Sequence, residues 1–308
     1  MPLVQILSYL AIIVFLAMAV KRIYMIANTP VHLRWELYPV PHERGRAHYG
    51  GSRLEDRNWW EHEEKPDHLN ELKEMAKEIL FLKAVWEHNR MLWFGSYPFH
   101  LAMYLVIFNI VISLISALLL VFGLSPLSPI FEIYHWVFTI VGFIGGIAGT
   151  FGALRLLFSR IADKDLAKYS SLSHYFNIIL IGSVFGTFLY WMITEPLVSL
   201  QVLVFFKKLI TFSPVPNFST IASIHLYLFL FFMIYMPFTH MTHMFTKYFT
   251  YHKVRWEDSA MSDDLKAKLM EQLNYKVTWA APHVGADGNK TWLAIATEPL
   301  SKEDENEK

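Results

Sequence analysis

The sequence predicts an all-α membrane protein: a five-transmembrane-helix bundle with the N-terminus outside, the C-terminus in the cytoplasm, and cytoplasmic extensions. Three observations carry this. The 308 residues are 54% hydrophobic and 16% aromatic, which exceeds the usual share for a soluble domain. Charge is segregated, so that residues 97–123, 130–154, 172–194 and 219–246 hold almost none apart from Glu132 and a few histidines. Each of these stretches is long enough to span a bilayer. Finally, 25 of the 27 Lys and Arg fall in residues 21–95, 155–171 and 247–308, leaving Lys207 and Lys208 on the other side of a five-span path. Basic loops face the cytoplasm, which sets the orientation.

Residues 3–20 supply the fifth span and end at Lys21 and Arg22. They lack a basic n-region and a small-residue cleavage site, so the stretch reads as a retained anchor rather than a signal peptide. The first transmembrane segment is thus 1–26, and 27–95 is a cytoplasmic segment. Its prolines, from Pro30 through Pro39 and Pro41 to Glu43, favour extended backbone. Residues 66–93 then read as one amphipathic helix. Leu69, Leu72, Met75, Ala76, Ile79, Leu80 and Val85 recur near a 3.6 period, and Pro66 and Asp67 suit its start. Residues 96–250 form a four-helix membrane bundle. Within it, 123–130 is a tight outer turn, and 197–212, apolar but interrupted by Lys207 and Lys208, is an interfacial helix on the outer surface. Residues 251–308 are a cytoplasmic, partner-docking tail with a helix near 262–273, a turn at Asp287-Gly288 and a polar, disordered end.

The chain has no cysteine. That excludes disulfides, thiolate-held iron–sulfur clusters and covalently attached c-type haem, so a redox cofactor must be held by His or Met. Net charge is zero and no basic run points to nucleic acid.

Of 14 histidines, eight (His32, His42, His48, His62, His68, His88, His252 and His283) fall in cytoplasmic segments and read as solvated or partner-facing. The other six, His100, His135, His174, His225, His240 and His243, lie at or within spans. Ionisable groups there are costly and point to ligands, proton relays or helix-to-helix hydrogen bonds. His225 and His243 are 18 residues apart. On one continuous helix that is five full turns and a rise of roughly 27 Å, one imidazole near each bilayer surface. A bundle can hold two stacked haems this way. Depth pairs His100 with His243 at an inner site and His135 with His225 at an outer one. His174 and His240, both inner, are alternative ligands or propionate partners.

Gly142, Gly145, Gly146, Gly149 and Gly152 in one span, with Gly182 and Gly186 in the next, make small-residue faces that serve helix contact more often than cofactor contact. Pro237 predicts a kink in the last span. Arg90, Arg155 and Arg160 read as ordinary boundary anchors.

The last span, with His225-Leu-Tyr-Leu followed by Met236-Pro237-Phe238-Thr239-His240-Met241-Thr242-His243, resembles the gamma-subunit family of respiratory nitrate reductases, dihaem cytochrome b membrane anchors. The segment Ser96-Tyr97-Pro98-Phe99-His100-Leu101 looks like that family's first ligand-bearing segment. Residues 30–43 and Val277-Thr278-Trp279-Ala280-Ala281-Pro282-His283 look like the branch that pairs with heterodisulfide-reductase-like iron–sulfur subunits, as in Dsr-, Hmc- and Tmc-type complexes. The family carries a second ligand ten residues after the first, where this chain has Ile110 beside Asn109. Either His135 replaces it, or the outer haem is missing.

The resemblance implies an electron-transfer subunit of a quinol/quinone oxidoreductase in the cell inner (cytoplasmic) membrane. Two b-type haems would link a menaquinone-type pool to a cytoplasmic heterodisulfide-reductase-like iron–sulfur subunit, with a multihaem cytochrome c outside as a further partner. Glu132 is the candidate acceptor of a quinol proton; Glu195, Lys207 and Lys208 are weaker candidates. A non-redox ion pathway through membrane histidines, or a purely structural anchor, are the competing readings.

Overall fold

The structure is a computed structural model that describes residues 2–29, 45–49, 55–58, 61, 67–256, 262–281 and 285–298. The extended segment expected at 30–43 and the residues around His283 lie outside these. The helices are α1 (Leu3–Ala27), α2 (His68–Phe81), α3 (Lys83–His88), α4 (Arg90–Val121), α5 (Pro129–Ala162), α6 (Lys164–Lys168), α7 (Leu172–Thr194), α8 (Val198–Ile210), α9 (Thr220–Tyr235), α10 (His243–Trp256), α11 (Asp263–Leu273) and α12 (Trp292–Thr297). Two compact units result. Met1–Ala27 with Tyr38–Phe249 forms the first, and Asn28–Leu37 with Thr250–Lys308 the second.

In the first unit, five helical stretches are long and apolar enough to cross a membrane: α1, α4, α5, α7 and Thr220–Phe238. The all-α, five-span bundle is therefore as expected. In packing order α1 lies on α9, α9 on α7, α7 on α5 and α5 on α4, while α8 closes against α4 and α5. Helix α5 shows why the bundle forms. Its Ile133, Ile140, Ile144, Ile147, Phe151 and Phe158 are exposed, a lipid-facing stripe, while Tyr134, Phe138, Gly142, Gly145, Gly149 and Gly152 are buried on the opposite face. Lipid gives apolar side chains no reason to turn inward, so close van der Waals packing at small residues decides which face meets its neighbours. A Cβ on Gly146 would stand 3.1 Å from Leu189 Cβ of α7, and one on Gly152 2.6 Å from the backbone nitrogen of Phe99 in α4. The glycine face is thus helix contact, not cofactor contact.

Local signals set the ends. Asp67 caps α2 by accepting from the Asn70 amide at 3.1 Å. Asn89 accepts from the Leu92 amide at the start of α4. Pro129 opens α5, where a missing N–H costs nothing. Ser219 caps α9 through the Ala222 amide.

Two expectations need correction. The amphipathic helix expected over 66–93 is broken into α2, α3 and the start of α4, because Leu82 is left-handed (φ 53°) and Asn89 leaves helical geometry. The last span is also not one helix. It stops at Tyr235, runs through 3-10 turns at Met236–Phe238 and His240–Thr242, and resumes at His243. Pro237 cannot continue the ladder, and Thr239 sits extended between the turns, its side chain accepting from the Met241 amide. His225 and His243 therefore do not share a helix face, and five uninterrupted turns do not separate them.

The corner between α2 and α3 is held by Glu74, which takes hydrogen bonds from Lys77 and, at 3.0 Å, from Lys83. Burial pushes its carboxyl up, but the two lysines outweigh burial and hold it below the ordinary 4.5. A depressed acid stabilises the fold above that ordinary value and loses its contribution as pH falls through the folded one. Partly exposed, the pair contributes at most about 1 kcal/mol. Amide exchange in α2 and α3, corrected for intrinsic rates, is expected to speed up as pH falls below the ordinary carboxylate range, and Glu74→Gln should weaken that dependence.

In the second unit, α11 is capped by Ser262 through the Leu265 amide, where the sequence placed a helix near 262–273. A short antiparallel ribbon pairs β1 (Ala280–Ala281) with β2 (Ala286–Asp287). The expected turn follows β2, with Gly288 at φ +84° and Asp287 accepting from the Asn289 and Lys290 amides.

Candidate functional site

Two cavities inside the first unit hold the functional candidates. The inner one has about 1000 Å³ of empty space, and His100, Met103 and Tyr104 of α4, Met236 and Met241 of the broken segment, and His243 of α10 line it. Ile79 of α2 and Leu82, just beyond its end, form one wall, and Tyr104 donates its hydroxyl hydrogen to the Ile79 carbonyl. At the rim, Lys247 binds Glu78 of α2 at 3.0 Å.

The imidazoles of His100 and His243 have ring centres 6.4 Å apart. Each has one ring nitrogen committed. His100 Nδ1 lies 2.7 Å from the Ser96 carbonyl, and His243 Nδ1 lies 2.9 Å from the His240 carbonyl. A carbonyl only accepts, so both Nδ1 atoms carry the hydrogen, an assignment made from the partner. Both Nε2 atoms are then bare. Such a second hydrogen bond is what fixes the tautomer of a metal-ligating histidine. The His240 carbonyl also accepts from the His243 backbone amide at the end of the second 3-10 turn.

The outer cavity has about 690 Å³ of empty space. His225 of α9 lines it, together with Asn109, Ile110 and Ser113 of α4. His225 Nδ1 lies 3.2 Å from the Thr187 hydroxyl. That hydroxyl donates to the Ser183 carbonyl at 2.7 Å, so it accepts from His225, which leaves Nε2 bare as well. His225 also stands against Phe188, Trp191 and Phe229.

His135, expected opposite His225, is not in the lining of this cavity. Its Nδ1 lies 2.6 Å from the Ser199 hydroxyl of α8. The structure therefore does not bring the expected outer pair together at one cavity. Depth along the sequence reported only how far each residue lies into the membrane, not which way it faces. Glu132 is exposed in the first turn of α5 and lines neither cavity. Glu195 is tied to Trp191, Gln201 and Ser219.

His174 and His240 do meet, with ring centres 5.0 Å apart. His174 Nδ1, however, accepts from the Ser171 amide at 3.0 Å in a capping box. Its hydrogen must sit on Nε2, the opposite tautomer to that of His100, His225 and His243. Ligation through Nε2 would cost that cap. Sequence reasoning missed Tyr104, Glu78 and the α2 wall of the inner cavity. The regular Leu and Ile spacing of α2 marked an apolar face, but nothing in it says what the face covers.

A family model described as nitrate reductase gamma subunit matches residues 85–257, more than half of the chain. The chain belongs to this family. No curated protein and no solved structure matches it. As a nitrate reductase gamma-family protein it is a membrane cytochrome b subunit for electron transfer within a redox complex, of a family that carries b-type haem and works beside catalytic and iron–sulfur subunits. The matched range takes in α4 through α10, all six membrane histidines, the outer cavity, and the inner cavity apart from Ile79 and Leu82.

The inner cavity fits such a group. Two imidazoles on opposite sides of one iron, with metal–nitrogen bonds of about 2.0 Å and about 1.2 Å more to each ring centre, would stand about 6.4 Å apart. The separation between His100 and His243 is that distance.

Proposed function

We propose that this gamma-family protein exchanges electrons with a menaquinone-type quinone pool in the cytoplasmic membrane and with an iron–sulfur subunit of heterodisulfide-reductase type on the cytoplasmic side. His100 and His243 hold the inner b-type haem. The observation that carries this is one cavity with two bare Nε2 atoms, each preset by a carbonyl on the other side of its ring.

When bound, the haem supplies a one-electron relay. The chain's own residues do the rest. The carbonyls of Ser96 and His240 fix both imidazole tautomers, so neither ring would have to lose a hydrogen for its Nε2 to bind a metal. The methionines and aromatic walls keep water away. Lys247, at the rim, can neutralise a carboxylate at the edge of the cofactor, at some cost to its pairing with Glu78.

The basic segments that support an N-terminus outside also put α2, α3 and the tail on the cytoplasmic side, where they offer surface for an iron–sulfur partner. With no cysteine, the chain must pass electrons to clusters held by another subunit. A multihaem cytochrome c outside remains the proposed partner at the other face.

The full-length chain, purified in detergent, is expected to show a b-type absorption band in its reduced-minus-oxidised spectrum and to yield haem b on extraction. A colourless chain with neither would overturn the reading in favour of a structural anchor.

A further inference from the structure

The outer cavity differs from the inner one in chemistry. Its walls are aromatic, with Phe138, Phe185, Phe188, Phe205, Phe206 and Phe229 around it. No Lys or Arg is in its lining. Its polar groups are few, and most are spoken for. Ser113 donates to the Asn109 carbonyl at 2.6 Å, and Trp191 donates its indole hydrogen to Glu195. Asn109 donates Nδ2 to the Phe138 carbonyl at 3.2 Å, which fixes the orientation of its amide. Two acceptors are left over. Asn109 is 4% exposed, and its Oδ1 is buried without a hydrogen-bond partner. His225 Nε2 is bare because Nδ1 is committed to Thr187.

An unpartnered buried acceptor is costly and calls for a donor from outside the chain. A second haem fits this set poorly. No second imidazole lines the cavity, and no cation waits for two propionates. An iron would also leave Asn109 Oδ1 unpaired, because a porphyrin has no O–H to give it. A flat, neutral ring bearing hydroxyl groups matches every feature: aromatic walls for its faces, acceptors for its O–H groups and no counter-charge required.

We infer that the outer cavity holds the aromatic head of a quinol in place of a second haem, with Asn109 Oδ1 and His225 Nε2 accepting its hydroxyl hydrogens. The inference rests on the quinol-exchange reading above and assigns it residues. Nine residues of α4, or about 13.5 Å of rise, separate Asn109 from the level of His100, so the site stands beside the inner haem along one helix.

The test uses the full-length chain in detergent, with 2-methyl-1,4-naphthohydroquinone and its dimethyl ether as probes, kept anaerobic. The wild type is expected to carry one haem b per chain and to bind the diol about a hundredfold more tightly than the ether, the scale of two lost buried hydrogen bonds at about tenfold each. Asn109→Leu and His225→Leu should each shrink that preference while leaving the b-type band intact. The preference is a ratio within one protein, so partial misfolding does not imitate its loss. Equal binding of diol and ether would overturn the inference and mark the cavity as a seat for a lipid chain. Two haems per chain, one of them lost in His225→Leu, would overturn it in favour of a second haem. Absence of any b-type band would instead strike the haem reading, and the probe ratio would still decide the pocket.

Discussion

His100→Ala is expected to abolish the b-type band of the inner site while the chain still inserts and folds. The side chain sits between two commitments. Its Nδ1 is held by the Ser96 carbonyl at 2.7 Å, and its bare Nε2 shares a cavity with that of His243. If His100 and His243 hold the haem as proposed, deleting the His100 imidazole removes one of two ligands and enlarges a cavity that is already there, so the fold loses little while the iron would lose half its protein ligands. His243→Ala should do the same. His243→Met gives the sharper readout. A thioether can still bind iron, and His/Met ligation raises the reduction potential relative to two imidazoles. That variant should therefore keep haem with an altered band and a higher potential. If both alanine variants keep an unchanged spectrum, these imidazoles are not the ligands.

Gly152→Val is expected to cost about 3 kcal/mol or more, the upper end of overpacking effects. A Cβ there would lie 2.6 Å from the Phe99 backbone nitrogen and 2.9 Å from the Gly95 carbonyl oxygen. Backbone cannot swing aside as a flexible side chain can, so α4 and α5 must part. Because Phe99 precedes His100, the shift also reaches the inner site, and haem content should fall together with thermal stability in detergent. Gly186→Ala is the matched control. Nothing lies within 4 Å of its added Cβ, so only a small change is expected. Equal behaviour of the two variants would show that the α4–α5 contact does not depend on this glycine.

How much of this was legible in the sequence depends on what each signal measures. Apolar length found the spans, because a bilayer imposes a minimum run whatever the neighbours. The glycine spacing of 142 through 152 reported a close face, and α4 and α7 do meet it. Depth pairs His100 with His243, and their rings do come within 6.4 Å of each other. It misplaced His135, because depth says nothing about azimuth; its ring turns to Ser199 of α8 instead. The five-turn phase between His225 and His243 was arithmetic on a helix that does not exist as one piece. Pro237 signalled a disturbance, but whether a proline kinks or severs a helix depends on whether nearby groups, here Thr239 and the two 3-10 turns, can take over the freed backbone. The leftover acceptor of Asn109 was invisible for a related reason: hydrogen-bond satisfaction is a property of neighbours, not of residue type.

The interruption at Met236–Thr242 uncouples two parts of the chain that a continuous rod would lock together. On a rod, each inserted residue turns everything beyond it by about 100°, so no change in length near one cofactor level can be silent at the other. With an irregular joint between them, an added or lost residue is absorbed locally, and each level can drift in sequence without spoiling the other. Chains built this way are free to alter the side chains at one depth while those at the opposite depth keep their arrangement.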